Sequence, residues 1–202
     1  WEEILDKPIL LRILREFMFL DNEGKMIFPR YHQLRAVRKV EEDIAANGFG
    51  GRYLIWHSAG SGKTKTLTWV AERVKNMPGM NTVIVISDRT VINGQLAAEL
   101  TTVDAGTGVV KEMKSAAELK TFLDNCGYII ITTLQKFRDI IKELHNYPER
   151  NYAFVIDEAH SSMAGKSFSK VSETLAGKSL EEAAALDEAY EEMEDGQNQL
   201  LG

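Results

Sequence analysis

Small and polar residues that could hold a phosphate group lie together at residues 58–64, with the sequence Ser-Ala-Gly-Ser-Gly-Lys-Thr. Gly60 and Gly62 carry no Cβ, so the backbone can turn sharply and bring its N–H groups against phosphate oxygens. Lys63 can reach the β- and γ-phosphates of a nucleotide, and Thr64 offers a hydroxyl to Mg²⁺. The residues favour a phosphate-binding loop. The alternative is a glycine-rich turn beside an exposed lysine.

Apolar residues flank this loop on both sides. Residues 53–55, Tyr-Leu-Ile, predict a short buried strand before it. After it, apolar residues recur at helical spacing, at Leu67, Trp69, Val70 and Val74. A helix that opens at Lys63 adds free N–H groups and a positive dipole end. Strand, turn and helix form the context that a phosphate-binding loop needs. The pattern departs from G-x-x-x-x-G-K-[ST] at His57, which stands in place of the first glycine.

Two adjacent acids, Asp157 and Glu158, follow the apolar run 152–156. A continuous apolar run suits a parallel strand that is buried on both faces. The carboxyl end of such a strand is where open α/β sheets bind ligands. There Asp157 would hold Mg²⁺, directly or through water, and Glu158 would orient and deprotonate the attacking water. A loop and an acid pair that each follow an apolar run favour nucleotide hydrolysis over a structural turn.

Residues 60–64 and 157–160 resemble motifs I and II of superfamily 2 helicases. Residues 56–64 are similar in particular to the motor, or R, subunit of type I restriction enzymes, in which a Trp-His pair commonly precedes the loop. The resemblance covers roughly residues 8–165. It implies a RecA-like P-loop NTPase domain of the α/β class, with a mainly parallel sheet flanked by helices, and it implies ATP and Mg²⁺ as cofactors.

The resemblance also implies roles for individual residues. The nucleotide would be held by His57, Ser58, Ala59, Gly60, Ser61, Gly62, Lys63 and Thr64. Lys63 and Glu158 would be catalytic, and Thr64 and Asp157 would place the metal. Gln33 resembles an adenine-reading glutamine, since an amide can donate and accept on one edge; the alternative is a surface glutamine. His160 would couple the nucleotide state to a partner domain or to DNA, unless it is a structural histidine.

Polar residues at the ends of two further strands resemble DNA-facing motifs. Arg89 lies in a stretch that resembles motif Ia, although it can also pair locally with Asp88. The second stretch resembles motif Ib and supplies Thr132, Thr133, Gln135 and Lys136. Hydroxyls, an amide and a lysine can hold phosphates without reading bases. These residues are therefore the predicted DNA contacts.

Apolar runs at 82–86 and 128–131 predict two more strands, and the alternation of strands with helical patterns predicts an α/β fold. Helices are predicted from Asp6 to about Leu20, from the region after Phe28 to about Asn47, and over 115–126. The predicted organisation is a helical lead-in at 1–27, a first RecA-like motor domain at 28–178 that ends before motif III, and an acidic helical segment at 179–202.

The net charge of −6 does not itself indicate a nucleic-acid partner. Residues 178–202 hold one of the 24 basic residues and eight of the 30 acidic ones, so residues 1–177 are close to neutral. Charge alone gives no evidence of a DNA-binding face. The single cysteine, Cys126, excludes an internal disulfide and fits the cytoplasm. Neither a signal peptide nor an apolar run long enough for a membrane span is visible.

The resemblance implies ATP hydrolysis coupled to movement along double-stranded DNA. The implied partners are a second RecA-like domain and a nuclease domain of the same polypeptide, with methylation and specificity subunits. Alternatives are another DEAH-type DNA or RNA helicase, or a nucleotide-binding module without motor action. The family places the motif III strand between the strands of motifs I and II. The 202-residue chain alone is therefore expected to leave a gap in its sheet. We expect it to hydrolyse ATP at least about a thousandfold more slowly than the intact motor.

Overall fold

The computed structural model describes residues 5–21, 23–58, 60–87, 90–103, 108–113, 115–125, 127–133, 136, 144, 147 and 149–157. In chain order these residues form α1 (Lys7–Glu16), β1 (Phe19–Leu20), β2 (Met26–Ile27), α2 (Tyr31–Asn47), α3 (Lys63–Lys75), β3 (Thr82–Ser87), α4 (Thr90–Val103), β4 (Val110–Glu112), α5 (Ala116–Asn125), β5 (Ile129–Thr133) and β6 (Tyr152–Ile156).

Four of the strands form one parallel sheet in the order β4-β5-β3-β6. All six residues of β3 are buried. Its side chains alternate between two cores, with Val83 and Val85 on one face of the sheet and Ile84 and Ile86 on the other. A strand that is apolar at every position must be covered on both faces. The predicted strands at 82–86, 128–131 and 152–156 and the predicted α/β class are confirmed.

Helices cover both faces of this sheet. One face packs against buried side chains from α1, α2, α3 and α4, among them Ile13, Val37, Trp69 and Leu100. The other face packs against Leu119 and Leu123 of α5. Trp69 is fully buried, and burying a large apolar side chain contributes about 1.5–3 kcal/mol. The phosphate-loop helix α3 is therefore anchored in the main core.

The first helix ends earlier than predicted. It stops at Glu16 rather than near Leu20, because Phe17 turns into the core, where it is 1% exposed and meets the ring of Trp69. The following residues form the two-stranded antiparallel sheet of β1 and β2. In the turn between them, the carboxylate of Asp21 accepts hydrogen bonds from the N–H groups of Glu23 and Lys25.

The strand predicted at residues 53–55 is wrong. Residues 51–58 have no regular secondary structure, and Leu54 and Trp56 are 80% and 88% exposed. An apolar run forms a strand only where a neighbouring strand supplies backbone partners. Among the described residues no strand pairs with this segment, and β6 at the edge of the sheet pairs with β3 alone.

Candidate phosphate-binding site

The glycines of the loop adopt the backbone that the sequence predicts for them. Gly60 and Gly62 have φ of +74° and +84°, in the left-handed region that side chains with a Cβ rarely adopt. Helix α3 begins directly after them at Lys63, which confirms the predicted helix. The carbonyl of Gly62 accepts its first helical hydrogen bond from the N–H of Thr66 at 3.2 Å. The loop therefore leads straight into a helix N-terminus.

The start of α3 points toward the carboxyl edge of the sheet. The helix lies against β3 and β6, and residues 76–81 connect its last turn to the start of β3. A helix of 13 residues and a strand of six residues are each about 20 Å long. The first turn of α3 and the carboxyl ends of the strands therefore lie at the same end of the domain. This is the edge at which open α/β sheets bind ligands.

Gln33 of α2 contacts the loop directly. Its Nε2 donates to the carbonyl oxygens of Ser61 and Gly62 at 3.3 and 3.0 Å, and its Oε1 accepts from the N–H of Arg30 at 2.8 Å. The side chain is 2% exposed, so the alternative of a surface glutamine is wrong. The adenine contact stays a prediction.

Two histidines lie beside the loop. The rings of His32 and His57 meet edge to face, with centroids 4.9 Å apart. The Nε2 of His32 is 3.2 Å from the carbonyl oxygen of Ser61, and the Nδ1 of His57 is 3.5 Å from the hydroxyl of Thr66. Burial lowers the pKa of His57 below its ordinary value, and the nearby His32 and Lys63 lower it further. The His57 ring is therefore neutral at physiological pH.

The hydroxyl of Ser61 is buried and has no hydrogen-bond partner among the residues that the structure describes. A buried hydroxyl without a partner is costly unless something else satisfies it. Together with the left-handed glycines and the start of α3, this hydroxyl fits a loop that binds phosphate oxygens. Ala59 lies outside the described residues.

The acid at the end of β6 lies on the same sheet edge. The N–H of Asp157 donates to the carbonyl of Ile86 at 2.9 Å and extends the parallel pairing of β6 with β3 by one residue. The predicted Asp157 thus follows its strand as expected, and its role in Mg²⁺ binding stays a prediction. Glu158 and His160 lie outside the described residues.

Three of the predicted DNA contacts are described. Thr132 and Thr133 end β5 and are 2% and 8% exposed, so their hydroxyls do not lie on an open surface in this structure. The Nζ of Lys136 donates to the carbonyl of Met113 at 3.1 Å. Arg89 and Gln135 lie outside the described residues. The DNA contacts of all five residues stay predictions.

An ionic cluster links α3 to α1 and α2. The sequence pattern did not predict it. Arg73 of α3 pairs with Glu41 at 2.7 Å and with Glu16 at 2.9 Å, and Arg12 pairs with both acids at 2.7 and 2.8 Å. Glu41 is 8% exposed. The one signal in the sequence is that Glu41 occupies an apolar position on α2, between Val40 and Ile44.

A groove of about 580 Å³ runs between α2 and residues 52–57. Three cationic side chains, from Arg35, Lys39 and Arg52, line it together with one carboxylate, from Asp43, and the half-exposed Tyr31 and His57 also line it. The groove is thus continuous with the loop and carries positive charge on its walls. The sequence does not predict this groove, because its two walls are separated along the chain.

The family of the chain follows from its match to known proteins. A family model described as SWI2/SNF2 ATPase matches residues 32–188. The chain belongs to the SWI2/SNF2 ATPase family. The match contains the loop, both histidines and Asp157, so this SWI2/SNF2 ATPase carries its candidate site within the family region.

This SWI2/SNF2 ATPase is similar in sequence to curated subunits of restriction enzymes. It is 31% identical over 176 residues to the type I restriction enzyme HindI endonuclease subunit of Haemophilus influenzae, covering 77% of this chain and 16% of the relative. It is 25% identical over 185 residues to the C-terminal part of a putative type I restriction enzyme MpnIIP endonuclease subunit of Mycoplasma pneumoniae, covering 84% of this chain and 89% of that protein. The chain spans about a sixth of the length of the HindI subunit. The resemblance to type I restriction subunits is confirmed.

A solved structure supports the fold. The crystal structure of the UvsW helicase from bacteriophage T4 matches with a TM-score of 0.58 and 18% identity, over 85% of this chain and 56% of that one. The predicted RecA-like α/β fold is confirmed by this likeness and by the parallel sheet. Among the described helices, none combines the length and the apolar character needed to cross a membrane.

Proposed function

We propose that the chain is the ATP-binding part of a DNA translocase, the motor subunit of a type I restriction endonuclease, and that it couples ATP hydrolysis to movement along double-stranded DNA. The observation that carries the proposal is the loop at 58–64, in which two left-handed glycines lead into the N-terminus of α3. A helix N-terminus offers N–H donors and a favourable dipole to phosphate groups.

The residues present fit Mg·ATP. Ser61 brings a buried hydroxyl without a partner among the described residues, and the loop glycines leave no Cβ between backbone and ligand. Lys63 would offset the negative charge on the transferred phosphate, and Thr64 and Asp157 would hold Mg²⁺. The metal supplies charge neutralisation at the β- and γ-phosphates when bound. Glu158 would orient the attacking water and take its proton.

The DNA part of the proposal rests on the relatives. They are named as endonuclease subunits of type I restriction enzymes, and DNA is the substrate that we propose for this chain. The chain covers a small share of the HindI subunit. A second RecA-like domain and a nuclease domain would lie in the same polypeptide, and methylation and specificity subunits would complete the enzyme. The proposed site of action is the cytoplasm.

The first test is steady-state ATPase activity of the complete protein with double-stranded DNA, with RNA and without nucleic acid. We expect stimulation by double-stranded DNA, little stimulation by RNA, and a preference for ATP over GTP. Stimulation by RNA alone would point to an RNA helicase. Turnover that no nucleic acid changes would point to a nucleotide-binding module without motor action.

The second test measures movement itself. A labelled third strand bound to a distant site on a DNA duplex should be displaced by the assembled enzyme only when ATP is hydrolysed. The Glu158→Gln variant keeps the side-chain shape but cannot take a proton, so it should bind ATP and displace nothing. Displacement by this variant at the normal rate would contradict the proposal.

A further inference from the structure

The backbone carbonyls of the phosphate loop turn toward helix α2. The carbonyl of Ser61 lies within hydrogen-bond distance of both His32 Nε2 and Gln33 Nε2, at 3.2 and 3.3 Å. The carbonyl of Gly62 accepts from Gln33 Nε2 at 3.0 Å. A carbonyl oxygen only accepts, so the His32 ring must carry its proton on Nε2 to bond there. Two adjacent side chains in the first turn of α2 thus hydrogen-bond to two successive loop carbonyls.

The orientation of the Gln33 amide is determined by its surroundings. Its oxygen faces the N–H of Arg30 at 2.8 Å, and its nitrogen faces the two carbonyls. Exchanging oxygen and nitrogen would place the amide oxygen against carbonyl oxygens and its NH₂ against a donor. Because the side chain is also 2% exposed, it has one arrangement that satisfies its polar atoms.

Gly62 is matched to this glutamine. A Cβ built on Gly62 would lie 2.6 Å from Gln33 Nε2, which is closer than Cβ atoms approach other heavy atoms in proteins. The amide nitrogen is held by two carbonyls and the amide oxygen by a backbone N–H, so it cannot simply move aside. The glycine is required here for the close approach of Gln33 as well as for its φ of +84°.

We propose that His32 and Gln33 are positioning residues of the phosphate loop: they hold the carbonyls of Ser61 and Gly62 against α2, and so keep the loop in its phosphate-binding conformation. This inference rests on the nucleotide binding proposed above. It differs from adenine recognition, which needs an amide edge that is free to face the base. A positioning residue affects every ligand that the loop holds by its phosphates, whatever base is attached.

A ligand without a base separates the two roles. We would measure binding of Mg·ATP, Mg·GTP and Mg·tripolyphosphate to the complete protein by titration calorimetry, for the wild type and for Gln33→Ala. The substitution removes the Gln33 donor from both loop carbonyls, so that Ser61 keeps only its contact with His32. We expect all three ligands to bind about 10- to 100-fold more weakly, by the same factor. The matched control is Asn47→Ala, which removes an exposed amide from the other end of α2 and should leave all three affinities unchanged.

His32 gives a second and milder test. His32→Gln keeps an N–H donor that can reach Ser61, and His32→Leu removes it. We expect His32→Leu to weaken tripolyphosphate binding several-fold and His32→Gln to restore it to within about threefold of the wild type. Equal weakening by both variants would overturn the role of His32. These variants also keep the proposal testable if Gln33→Ala does not fold.

The outcomes separate this inference from the proposed function. If the wild type binds neither ATP nor tripolyphosphate, the proposed function fails and the positioning role fails with it. If the wild type binds both and Gln33→Ala loses only ATP affinity, Gln33 reads the base and the positioning role alone is overturned. If Gln33→Ala binds all three ligands as the wild type does, the contacts with the carbonyls have no functional weight.

Discussion

Lys63 is the side chain on which the proposed chemistry depends most directly. It opens α3 immediately after Gly62, where its ammonium group can reach phosphates held by the loop. We expect Lys63→Ala to weaken Mg·ATP binding and to lower turnover of the complete protein by at least about 100-fold, the scale on which loss of one charge-stabilising group is felt. Binding is measured by calorimetry and turnover by phosphate release.

Lys65 provides the matched control for that experiment. It lies one residue beyond Thr64 on the same helix and pairs with Glu99 of α4 at 3.3 Å. Lys65→Ala makes the same change of charge, but it removes a partly exposed ion pair and a contact of the ammonium with the Phe19 ring rather than a phosphate contact. We expect turnover within about twofold of the wild type. Equal losses in both variants would mean that the helix needs positive charge in general, and not Lys63 in particular.

The lowered pKa of His57 should make the free energy of unfolding depend on pH. Its pKa is lowered in the folded protein, chiefly by burial, so between the folded pKa and the ordinary value of 6.5 the unfolded chain binds more protons. Stability therefore rises with pH across this window and is lost as the pH falls through it. We expect His57→Gln to flatten the free energy of unfolding between pH 7 and pH 5.5. Denaturant titrations at each pH measure it, and a slope that the variant leaves unchanged would contradict this origin.

The residue types of the site were readable from the sequence, but their contacts were only partly so. The sequence pattern predicted the roles of the loop glycines and Lys63, because phosphate binding needs small residues and a cation in adjacent positions. The sequence did not predict which side chains contact the loop, because His32 and Gln33 are 28 or more residues away along the chain. Gln33 suggested adenine recognition, whereas its described contacts are with the loop backbone. Only the approach of α2 to α3 decides which neighbour an amide meets.

At the scale of elements, α1, α2 and α3 are joined by buried charge. Glu41 accepts from Arg12 and Arg73, and the Arg73 guanidinium also lies 5.9 Å from the centre of the Phe17 ring. The indole N–H of Trp69 donates to the carbonyl of Phe17 at 3.0 Å. These contacts hold α3 against α2 and against Phe17, the residue that follows α1, and Ile13 of α1 lies in the same packed core.

Glu41 and its neighbour Glu42 test this cluster. Glu41→Gln removes one of the two carboxylates that Arg12 and Arg73 share, the other being Glu16, and breaking a buried pair costs about 3–5 kcal/mol. Because Arg12 is partly exposed, we expect the lower end of that range. Glu42→Gln removes an exposed partner of Arg38 and should cost less than about 0.5 kcal/mol. Urea unfolding of both variants gives the difference, and similar costs would contradict a structural role for the cluster.

Element boundaries followed the sequence where burial and propensity agree. The apolar runs that became β3, β5 and β6 are covered on both faces, so their composition was sufficient. Residues 53–55 are also apolar but lie outside the sheet. Hydrophobicity indicates that a segment can be buried, but it does not indicate whether a neighbouring strand pairs with it. The hairpin of β1 and β2 was missed because strands of two residues carry no periodic signal.

At the scale of the whole molecule, the sheet formed by the described residues has β6 as one of its edge strands. Strand β3 pairs with β5 and β6, whereas β6 pairs only with β3 among the described strands. An unpaired edge opens locally more easily than a paired strand and can attract another chain.

Hydrogen exchange of the isolated chain tests this asymmetry. We expect the amide protons of β3 and β5 to exchange at least about tenfold more slowly than those of β6, because both central strands are hydrogen-bonded on two sides. Mass spectrometry of peptides from residues 82–87, 129–133 and 152–156 measures the three strands in one sample. Protection of β6 equal to that of β3 would mean that a further strand covers its open edge.

The contrast between the two indoles at Trp56 and Trp69 has an optical consequence. Trp56 is 88% exposed and directly precedes His57, and Trp69 is fully buried in the core behind the loop. Trp69 should emit at short wavelength and resist quenching by iodide, whereas Trp56 should emit at long wavelength and be quenched readily. In a Trp1→Phe background, a nucleotide seated at the loop should change the quenchable component and leave the buried one constant. The chain therefore carries its own unlabelled binding signal together with an internal reference for folding.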